Sequence, residues 1–361
     1  MEEKAFLEEE YGFAIHGQRD TGAGKVLETD QGLFYLYTAP ANYKYKSKMV
    51  ERIRQHLSQQ PELGLLKLVQ NRTGHPHVIL EGQLYYVYRG VREANLQDPY
   101  FACGESLAHF HQATTSLARD KVQFAHSSLG NWPSMWGRRL REYNTYRDEL
   151  DEGEAELTSL DEYLLTSYTY VHQLGETAIQ YLQACEYDKV VKQTSGFGKV
   201  AYQNFDAGYI RWNEQNARLV GGEYNWVFDM RARDIGQWLK AESKRNGWQD
   251  EAAIRFLDGY NSVSPILEAE YAVIYALMLF PGRFLRLVES YQQLPDEERH
   301  EVDGPSWQAF LDNDLLQMEA ALRRYPQVVA QQYGATLPQI DWLWRYEDEK
   351  AESSDHEEDR E

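Results

Sequence analysis

The sequence is poor in cysteine and in positive charge. Its two cysteines, Cys103 and Cys185, lie far apart inside helix-like segments and form neither a disulfide framework nor a metal-ligand pattern, so we expect buried thiols. The 37 Lys and Arg residues face 57 Asp and Glu residues, which leaves a net charge of −20. This charge disfavours nucleic acid or an anionic membrane as the main partner, and it makes an anionic nucleotide less welcome.

Long apolar runs are missing as well. A membrane-spanning helix requires ~20 predominantly apolar residues, and the most apolar stretch, residues 271–280, is too short. The N-terminus is acidic and has no apolar core of the kind that defines a signal peptide. We therefore expect a soluble protein that is made in the cytosol and has no membrane span.

The residues that are present are those of a globular protein with a large core. Hydrophobic residues make up 42% of the chain and aromatic residues 13%, which excludes wholesale disorder. The 26 tyrosines and nine tryptophans suit either protein interfaces or a tyrosine-rich core. Residues 344–361 are strongly acidic, and we expect this tail to be disordered and solvated.

The order of the predicted elements favours an α+β fold with two lobes. Residues 1–92 contain short strand patterns and one amphipathic helix over residues 45–59, whereas residues 93–343 are mostly helical. A segment with three glycines, residues 16–24, lies between the first two strands. Its spacing matches neither GxGxxG nor a P-loop, so we expect a hairpin turn there.

The centre of the chain carries the most specific pattern. Two strand-like stretches, residues 199–205 and 224–228, are separated by a loop. Asp229 follows the second strand, and a helix opens near Asp234. An acidic residue at this position caps the helix and complements its dipole.

On these residues the chain resembles the YutH-type spore coat proteins of endospore-forming bacilli. Those proteins form part of the CotS group within the superfamily of aminoglycoside phosphotransferases and choline kinases. The resemblance is most specific over residues 225–229 (Asn-Trp-Val-Phe-Asp) and 233–238 (Arg-Asp-Ile-Gly-Gln-Trp), and residues 104–112 support it. It extends over nearly the whole chain up to Trp342 and excludes the acidic tail.

The resemblance implies a protein-kinase-like fold with a small, mostly β N-terminal lobe (residues 1–92) and a large helical C-terminal lobe (residues 93–343). It also implies synthesis in the mother-cell cytoplasm, assembly into the spore coat, and other spore coat proteins as partners. It does not imply an enzyme activity, because these proteins are described as kinase-like chiefly on the basis of their fold. In the superfamily, the position of Asp234 ties the catalytic region to the helical lobe.

Most of the groups that kinases of this superfamily use are replaced in this sequence. The His-x-Asp motif that supplies the base is replaced by Tyr202-Gln203-Asn204, although relatives keep a His at the first position. A metal-binding Asn is expected five residues after the Asp, where Tyr209 stands, and the strand Lys that binds phosphates falls on Tyr37. Only Asp229 keeps the expected chemistry.

Other charged or metal-ligating side chains near these positions have ordinary explanations. The three lysines of residues 44–48 form either a basic patch or the solvated start of a helix. Glu51 could take the role of the helix Glu, but without the strand Lys it is a helix-surface carboxylate. The His-x-His pair at residues 109–111 does not share one helix face, so we do not expect a metal site there.

Two functions from different classes remain open, and we expect the first. It is a non-catalytic kinase-like (pseudokinase) spore coat protein that needs no cofactor and works through protein contacts. The alternative is a divergent phosphotransferase that acts on a small molecule or on coat protein hydroxyls. It would use ATP and Mg²⁺, with Asp229 as the only candidate metal ligand. Asp229 also has a structural alternative, in which it hydrogen-bonds the next turn or pairs with Arg231 or Arg233.

Overall fold

The computed structural model describes residues 3–40, 46–117, 126–153 and 156–343. The acidic tail that we predict to be disordered, residues 344–361, lies outside the described residues. The described helices are α1 (Glu3–Tyr11), α2 (Ser47–Leu57), α3 (Pro99–Ala113), α4 (Trp132–Glu152), α5 (Ser159–Ala184), α6 (Tyr187–Thr194), α7 (Ala232–Asn246), α8 (Asp250–Val263), α9 (Glu268–Leu279), α10 (Gly282–Gln292), α11 (Asp296–Glu301) and α12 (Gly304–Tyr333). The described strands are β1 (Ile15–Thr21), β2 (Gly24–Thr29), β3 (Gly32–Pro40), β4 (Gly64–Leu65), β5 (Leu68–Val69), β6 (Val78–Leu80), β7 (Gln83–Arg89), β8 (Val200–Tyr202), β9 (Ile210–Trp212), β10 (Arg218–Val220) and β11 (Trp226–Phe228).

The chain forms two compact units. The first unit contains the described residues up to Leu129, Val191–Trp238 and Ala252–Ile266, and the second contains Gly130–Val190, Leu239–Glu251 and the described residues from Leu267 onward. All the described strands lie in the first unit, and the second unit is helical. The lobe boundary at residue 92 stays a prediction.

The N-terminal part of the first unit is an antiparallel sheet of six strands. Its order is β1-β2-β3-β7-β5, and β6 also pairs with β7. Successive residues of a strand point to opposite faces of the sheet. Phe34 and Leu36 of β3 therefore enter a hydrophobic core with Leu7 of α1, whereas Tyr35 and Tyr37 point to the opposite face. That second face contributes to the candidate site.

Two of the hairpin turns of this sheet depend on glycine. Glu81 and Gly82 form one of them and both have positive φ, 49° and 77°, as a two-residue turn between twisted strands requires. The turn expected over residues 16–24 is much shorter than the sequence indicated, because residues up to Thr21 pair with β2. Gly24 is required at its end, since a Cβ there would lie 2.1 Å from the backbone oxygen of Leu36.

The centre of the chain is built on two short antiparallel strands. In β8 and β11 all six residues are buried, and Val227 pairs with Ala201. Both strands are shorter than predicted. Residues 203–209 after β8 form a bend followed by a one-turn 3-10 helix (Ala207–Tyr209), and a second 3-10 turn (Glu223–Asn225) precedes β11. Helix α7 begins at Ala232, three residues after Asp229, as the sequence pattern indicated.

The second unit is organised around an almost wholly buried helix, α9, which contains all but the last residue of the most apolar stretch of the sequence, residues 271–280. Trp136 of α4 stacks on Phe280 after α9, with ring centroids 4.5 Å and planes 7° apart. Together α9 and α10 form one stretch, Glu268–Gln292, whose length and composition would suffice to cross a membrane. However, 78% of its most apolar window is buried, as expected for a core helix.

Candidate functional site

Three of the positions predicted to be substituted kinase positions lie in direct contact in the first unit. Tyr202 at the end of β8 and Tyr209 in the following turn stack with ring centroids 5.0 Å and planes 7° apart. Tyr37 of β3 meets Tyr209 edge-on at 5.2 Å. Tyr37 and Tyr202 are fully buried, and Tyr209 is 6% exposed. Each of these three tyrosine rings therefore packs against at least one other ring of the three.

Two tyrosines of β7 complete this group. Tyr86 and Tyr88 point to the same face of the sheet as Tyr37, and both are fully buried. Ring centroids lie 5.3 Å apart between Tyr37 and Tyr88 and 5.7 Å apart between Tyr86 and Tyr88. We call Tyr37, Tyr86, Tyr88, Tyr202 and Tyr209 the tyrosine cluster. Aromatic pairs of this kind contribute about 0.5–1.5 kcal/mol beyond the burial of their surface, so the cluster is a core in its own right.

The buried phenols keep hydrogen-bonding partners. The Tyr37 hydroxyl donates to the backbone oxygen of Gly208 at 2.6 Å. Asn225 Nδ2 donates to the Tyr209 hydroxyl at 2.9 Å. Burial raises the pKa of Tyr37 to about 12. The cluster is therefore neutral near pH 7, and its hydroxyl groups avoid the penalty of unpaired burial.

Asp229, the retained carboxylate, is held by the chain itself. One carboxylate oxygen accepts a hydrogen bond from the backbone N–H of Met230 at 2.8 Å, and the other lies 2.8 Å from Arg233 Nη1. The carboxylate is fully buried. Arg233 also donates to the backbone oxygens of Tyr202 at 3.0 Å and Gln203 at 2.9 Å. Arg233 thus joins the end of β11 to the bend after β8.

The loop that follows β8 is closed against the N-terminal sheet. Asn204, at the base position, is exposed. Asp206 accepts a hydrogen bond from the backbone N–H of Gly208 at 2.7 Å and begins the 3-10 turn. A Cβ on Gly208 would lie 2.8 Å from the Cβ of Ala23. The tip of the β1–β2 hairpin therefore touches the loop that carries the predicted base and metal positions.

Lys46, which the sequence places in a basic patch or at the solvated start of a helix, is instead buried beside the candidate site. It is 9% exposed, and its Nζ lies 3.2 Å from Gln203 Oε1, 3.3 Å from the Tyr224 oxygen and 3.4 Å from the Trp226 oxygen. Burial and, second, the charge of Arg233 lower the pKa of Lys46 to about 8. Of the other two lysines, Lys48 is exposed, and the residue at position 44 lies outside the described residues.

The burial of Lys46 could have been found in the sequence. The apolar face of α2 is formed by Met49, Val50, Ile53 and Leu57. Lys46 precedes the first of these residues by one helical turn, so helical spacing places it on the same face. Burial of a lysine on this face is compatible with its charge, because long cationic side chains regularly bury their aliphatic part.

Helix α2 is joined to the centre of the chain by an ion pair that the sequence did not indicate. Arg54 Nη1 lies 2.5 Å from Glu223 Oε1, and the Glu223 side chain is 1% exposed. Burial raises the pKa of Glu223, although Arg54 opposes this shift. Glu223 Oε2 is buried without a hydrogen-bonding partner among the described residues. Glu51, the predicted surface carboxylate, is exposed.

Asp234 lies at the centre of a buried hydrogen-bond network. Its carboxylate accepts from the backbone N–H of Tyr202 at 2.8 Å and lies 3.0 Å from His111 Nε2. His111 Nδ1 lies 2.7 Å from the Tyr260 hydroxyl. Burial raises the pKa of Asp234 well above its usual range. Asp234 therefore ties β8 to α3 and α8. Among the described residues, no group of three or more His, Cys, Asp or Glu side chains is arranged to hold a metal ion.

These residues do not fit a magnesium–triphosphate complex. Such a complex needs oxygen ligands for the metal and a positive charge at the phosphates. The Asp229 carboxylate is paired with Arg233, the Tyr209 hydroxyl is bonded to Asn225, and Tyr37 brings no charge.

The fold is that of the aminoglycoside phosphotransferases and related small-molecule kinases. An aminoglycoside phosphotransferase from Alicyclobacillus acidocaldarius has a TM-score of 0.58 and 19% identity, with 89% of this chain and 94% of that chain covered. A spectinomycin phosphotransferase in complex with ADP and spectinomycin has a TM-score of 0.54 and 12% identity, with 88% and 96% covered. At such identities the likeness concerns the fold, and it confirms the predicted α+β kinase-like class.

Residues 4–324 match the family described as spore coat putative kinase YutH, and the chain belongs to that family. The endospore coat-associated protein YutH of Bacillus subtilis (strain 168) is 25% identical over 273 residues, which are 73% of this chain and 77% of that protein. Spore coat protein S of the same organism is 23% identical over 190 residues, 51% of this chain and 52% of that protein. The resemblance inferred from residues 225–238 is confirmed.

Proposed function

We propose that this protein is a non-catalytic, kinase-like component of the spore coat. It is made in the mother-cell cytoplasm, joins the coat and acts through contacts with other coat proteins, without nucleotide or metal. Membership of the YutH family supports the coat location, as do the names of its relatives, an endospore coat-associated protein and a spore coat protein.

The observation that carries the non-catalytic assignment is the contact among Tyr37, Tyr202 and Tyr209. Loss of a general base lowers a rate by roughly 10²–10⁴ and would still allow slow turnover. Here, however, the side chains at the base motif, metal and phosphate-binding positions form one hydrogen-bonded core. A nucleotide that used these positions would have to break several buried contacts at once. The free energy of those contacts would oppose its binding.

The first test is thermal unfolding of the full chain in a titration of ATP with MgCl2. A ligand that binds only the native state at a hundred times its Kd stabilises by ~2.7 kcal/mol, which a melting curve detects readily. We expect no shift, while an aminoglycoside phosphotransferase measured in parallel shifts upward. A saturable shift at micromolar nucleotide would contradict the proposal.

The second test addresses the coat. A fluorescent fusion expressed in sporulating cells is expected to accumulate in the mother cell and then to surround the spore. The Glu51→Gln fusion, which changes an exposed carboxylate, should behave in the same way. Failure of the unmodified fusion to reach the coat would reject the coat role.

A second candidate function, a divergent phosphotransferase, is favoured by one observation. Asp229 keeps the position at the end of β11 where this superfamily places its metal-binding carboxylate. This candidate predicts transfer of label from γ-labelled ATP to a small molecule or a coat protein in spore extract. Transfer should vanish in Asp229→Ala and persist in Glu51→Gln, which changes an exposed carboxylate. Absence of transfer to every component of the extract would reject this candidate.

A further inference from the structure

A second tyrosine of β3, Tyr35, forms hydrogen bonds with the segment that follows β7. Tyr35 is 1% exposed, and its hydroxyl lies 3.0 Å from Glu93 Oε1, 3.3 Å from Val91 N and 3.4 Å from Val91 O. The hydroxyl has one hydrogen to donate, and the shortest distance assigns it to Glu93. Its oxygen then accepts the Val91 N–H. Residues 90–93, which we call the linker segment, therefore bind the edge of the phenol through one donor and one acceptor.

Arg211 of β9 covers the face of the same ring. Its guanidinium carbon lies 4.5 Å from the ring centroid of Tyr35, a cation–π contact. Arg211 Nη1 also donates to Glu93 Oε1 at 3.0 Å, and its side chain is 12% exposed. Glu93 thus connects the hydroxyl of the ring to the cation that covers it.

These contacts of the Tyr35 ring resemble those that a small aromatic ligand makes in a binding site. The ring is planar, it is covered on one face by a cation, and its polar edge is matched to a backbone donor and a carboxylate acceptor. Binding sites for small molecules combine apolar enclosure with a few placed polar groups in the same way. The difference is that the chain supplies this ring itself, two residues before Tyr37 and on the same face of the sheet.

We propose that Tyr35 is an internal ligand of the linker segment and holds this segment in place without any diffusible ligand. The proposal rests on the proposed function, because it assumes that no nucleotide competes for this face of the sheet. It also identifies a ligand class. Once the ring is removed, the Val91 N–H, the Glu93 carboxylate and Arg211 surround a space for a small planar phenol.

The direct test is hydrogen exchange of the Val91 amide in Tyr35→Phe, which keeps the ring and removes only the hydroxyl. We expect exchange at Val91 about fivefold faster than in the wild type, the effect of losing one hydrogen bond of ordinary strength. The amide of Gly90 is the internal control, because it donates to the backbone oxygen of Leu33 at 2.8 Å and does not depend on the phenol. Equal acceleration at both amides, or none at Val91, would overturn the proposal.

The ligand class is tested in Tyr35→Ala with p-cresol. A cavity that replaces a buried ring binds a molecule of matching shape. We expect p-cresol to raise the melting temperature of this variant in a saturable manner, toluene to raise it less, and the wild type to respond to neither. Adding Glu93→Leu should remove the advantage of p-cresol over toluene. Equal effects of the two compounds on Tyr35→Ala would show that the Val91 N–H and the Glu93 carboxylate do not recognise the hydroxyl group, and would overturn the proposed ligand class.

The two proposals fail separately. If Tyr35→Ala does not fold, the exchange experiment on Tyr35→Phe still decides the role of the hydroxyl. A wild type that binds no nucleotide, together with a Tyr35→Phe variant whose Val91 amide is unaffected, would reject the internal ligand and leave the non-catalytic assignment in place. A wild type stabilised by micromolar ATP and MgCl2 would reject the non-catalytic assignment itself.

Discussion

The ring of Tyr202 lies flat on the ring of Tyr209, with 5.0 Å between their centroids. Kinases of this superfamily carry polar groups at both positions, one in the base motif and one on the metal. In this chain the two positions form a buried face-to-face pair, and Tyr37 from the N-terminal sheet closes it edge-on. At the predicted positions of Tyr37, Tyr202 and Tyr209, each substitution therefore comes with a core contact, whereas Asn204 at the predicted base position is exposed.

Replacing Tyr209 tests this interpretation. Tyr209→Asn restores the side chain that binds metal in the superfamily, yet we expect the free energy of unfolding to fall by about 3–5 kcal/mol, because a large buried ring is removed. Tyr209→Phe keeps the stack and loses only the hydrogen bond with Asn225, so a loss of about 1 kcal/mol is expected. Urea unfolding measures both values. A Tyr209→Asn variant as stable as the wild type would show that the stack contributes little.

The pair of Asp229 and Arg233 can be examined by a double-mutant cycle. Arg233→Ala leaves a buried carboxylate without its guanidinium partner, so we expect a loss of about 3–5 kcal/mol in the free energy of unfolding. Adding Asp229→Asn should recover part of that loss, because the amide carries no charge. Denaturant unfolding of the wild type, the two single variants and the double variant gives the coupling energy. A coupling near zero would mean that the two side chains act independently.

The fold class could be predicted from the sequence because the patterns that indicate its strands and helices each involve residues close together in the chain. The short strands of residues 1–92 and the apolar face of α2 each span only a few residues. The substituted kinase positions stay a prediction, because they rest on motif spacing alone. Their mutual contacts were not found, because nothing in the sequence near Tyr37 indicates that its ring meets Tyr209.

The remaining parts of the site could not be predicted for the same physical reason. The pair of Arg54 and Glu223 joins residues 169 positions apart, and either charge alone is typical of an exposed helix or turn. Tyr35 has the same pattern as any buried strand residue, and only the folded chain shows the linker segment at its hydroxyl. Lys46 is different, because its helical spacing did indicate burial.

The ion pair of α2 gives a prediction with a matched control. Arg54→Met removes the guanidinium and leaves Glu223 buried without a cation, so we expect the free energy of unfolding to fall by about 3–5 kcal/mol. Glu51→Gln changes a charged residue on the same helix that is exposed, and its effect should stay within about 0.5 kcal/mol. Chemical unfolding of the two variants side by side measures the contrast. Similar effects of the two substitutions would show that the buried pair does not hold α2.

Lys46 gives a prediction for the dependence of stability on pH. Burial, and secondarily Arg233, lower the pKa of Lys46 from 10.5 in the unfolded chain to about 8 in the folded protein. Between these two values the unfolded chain binds a proton that the folded protein does not bind. The contribution of Lys46 to the free energy of unfolding is therefore lowest below pH 8 and rises as the pH increases toward 10.5.

Lys46→Met isolates this contribution because methionine does not titrate. Lys240 also has a pKa lowered to about 8 by burial, but it is present in both proteins and cancels in their difference. Between pH 7 and roughly pH 9.5, below the range in which unfolded tyrosines ionise, the free energy of unfolding of the wild type should rise by about 2 kcal/mol relative to that of Lys46→Met. Urea unfolding at the two pH values measures this change. An unchanged difference would mean that the folded protein leaves the Lys46 amine hydrated, and its contacts with Gln203, Tyr224 and Trp226 would then not be formed in solution.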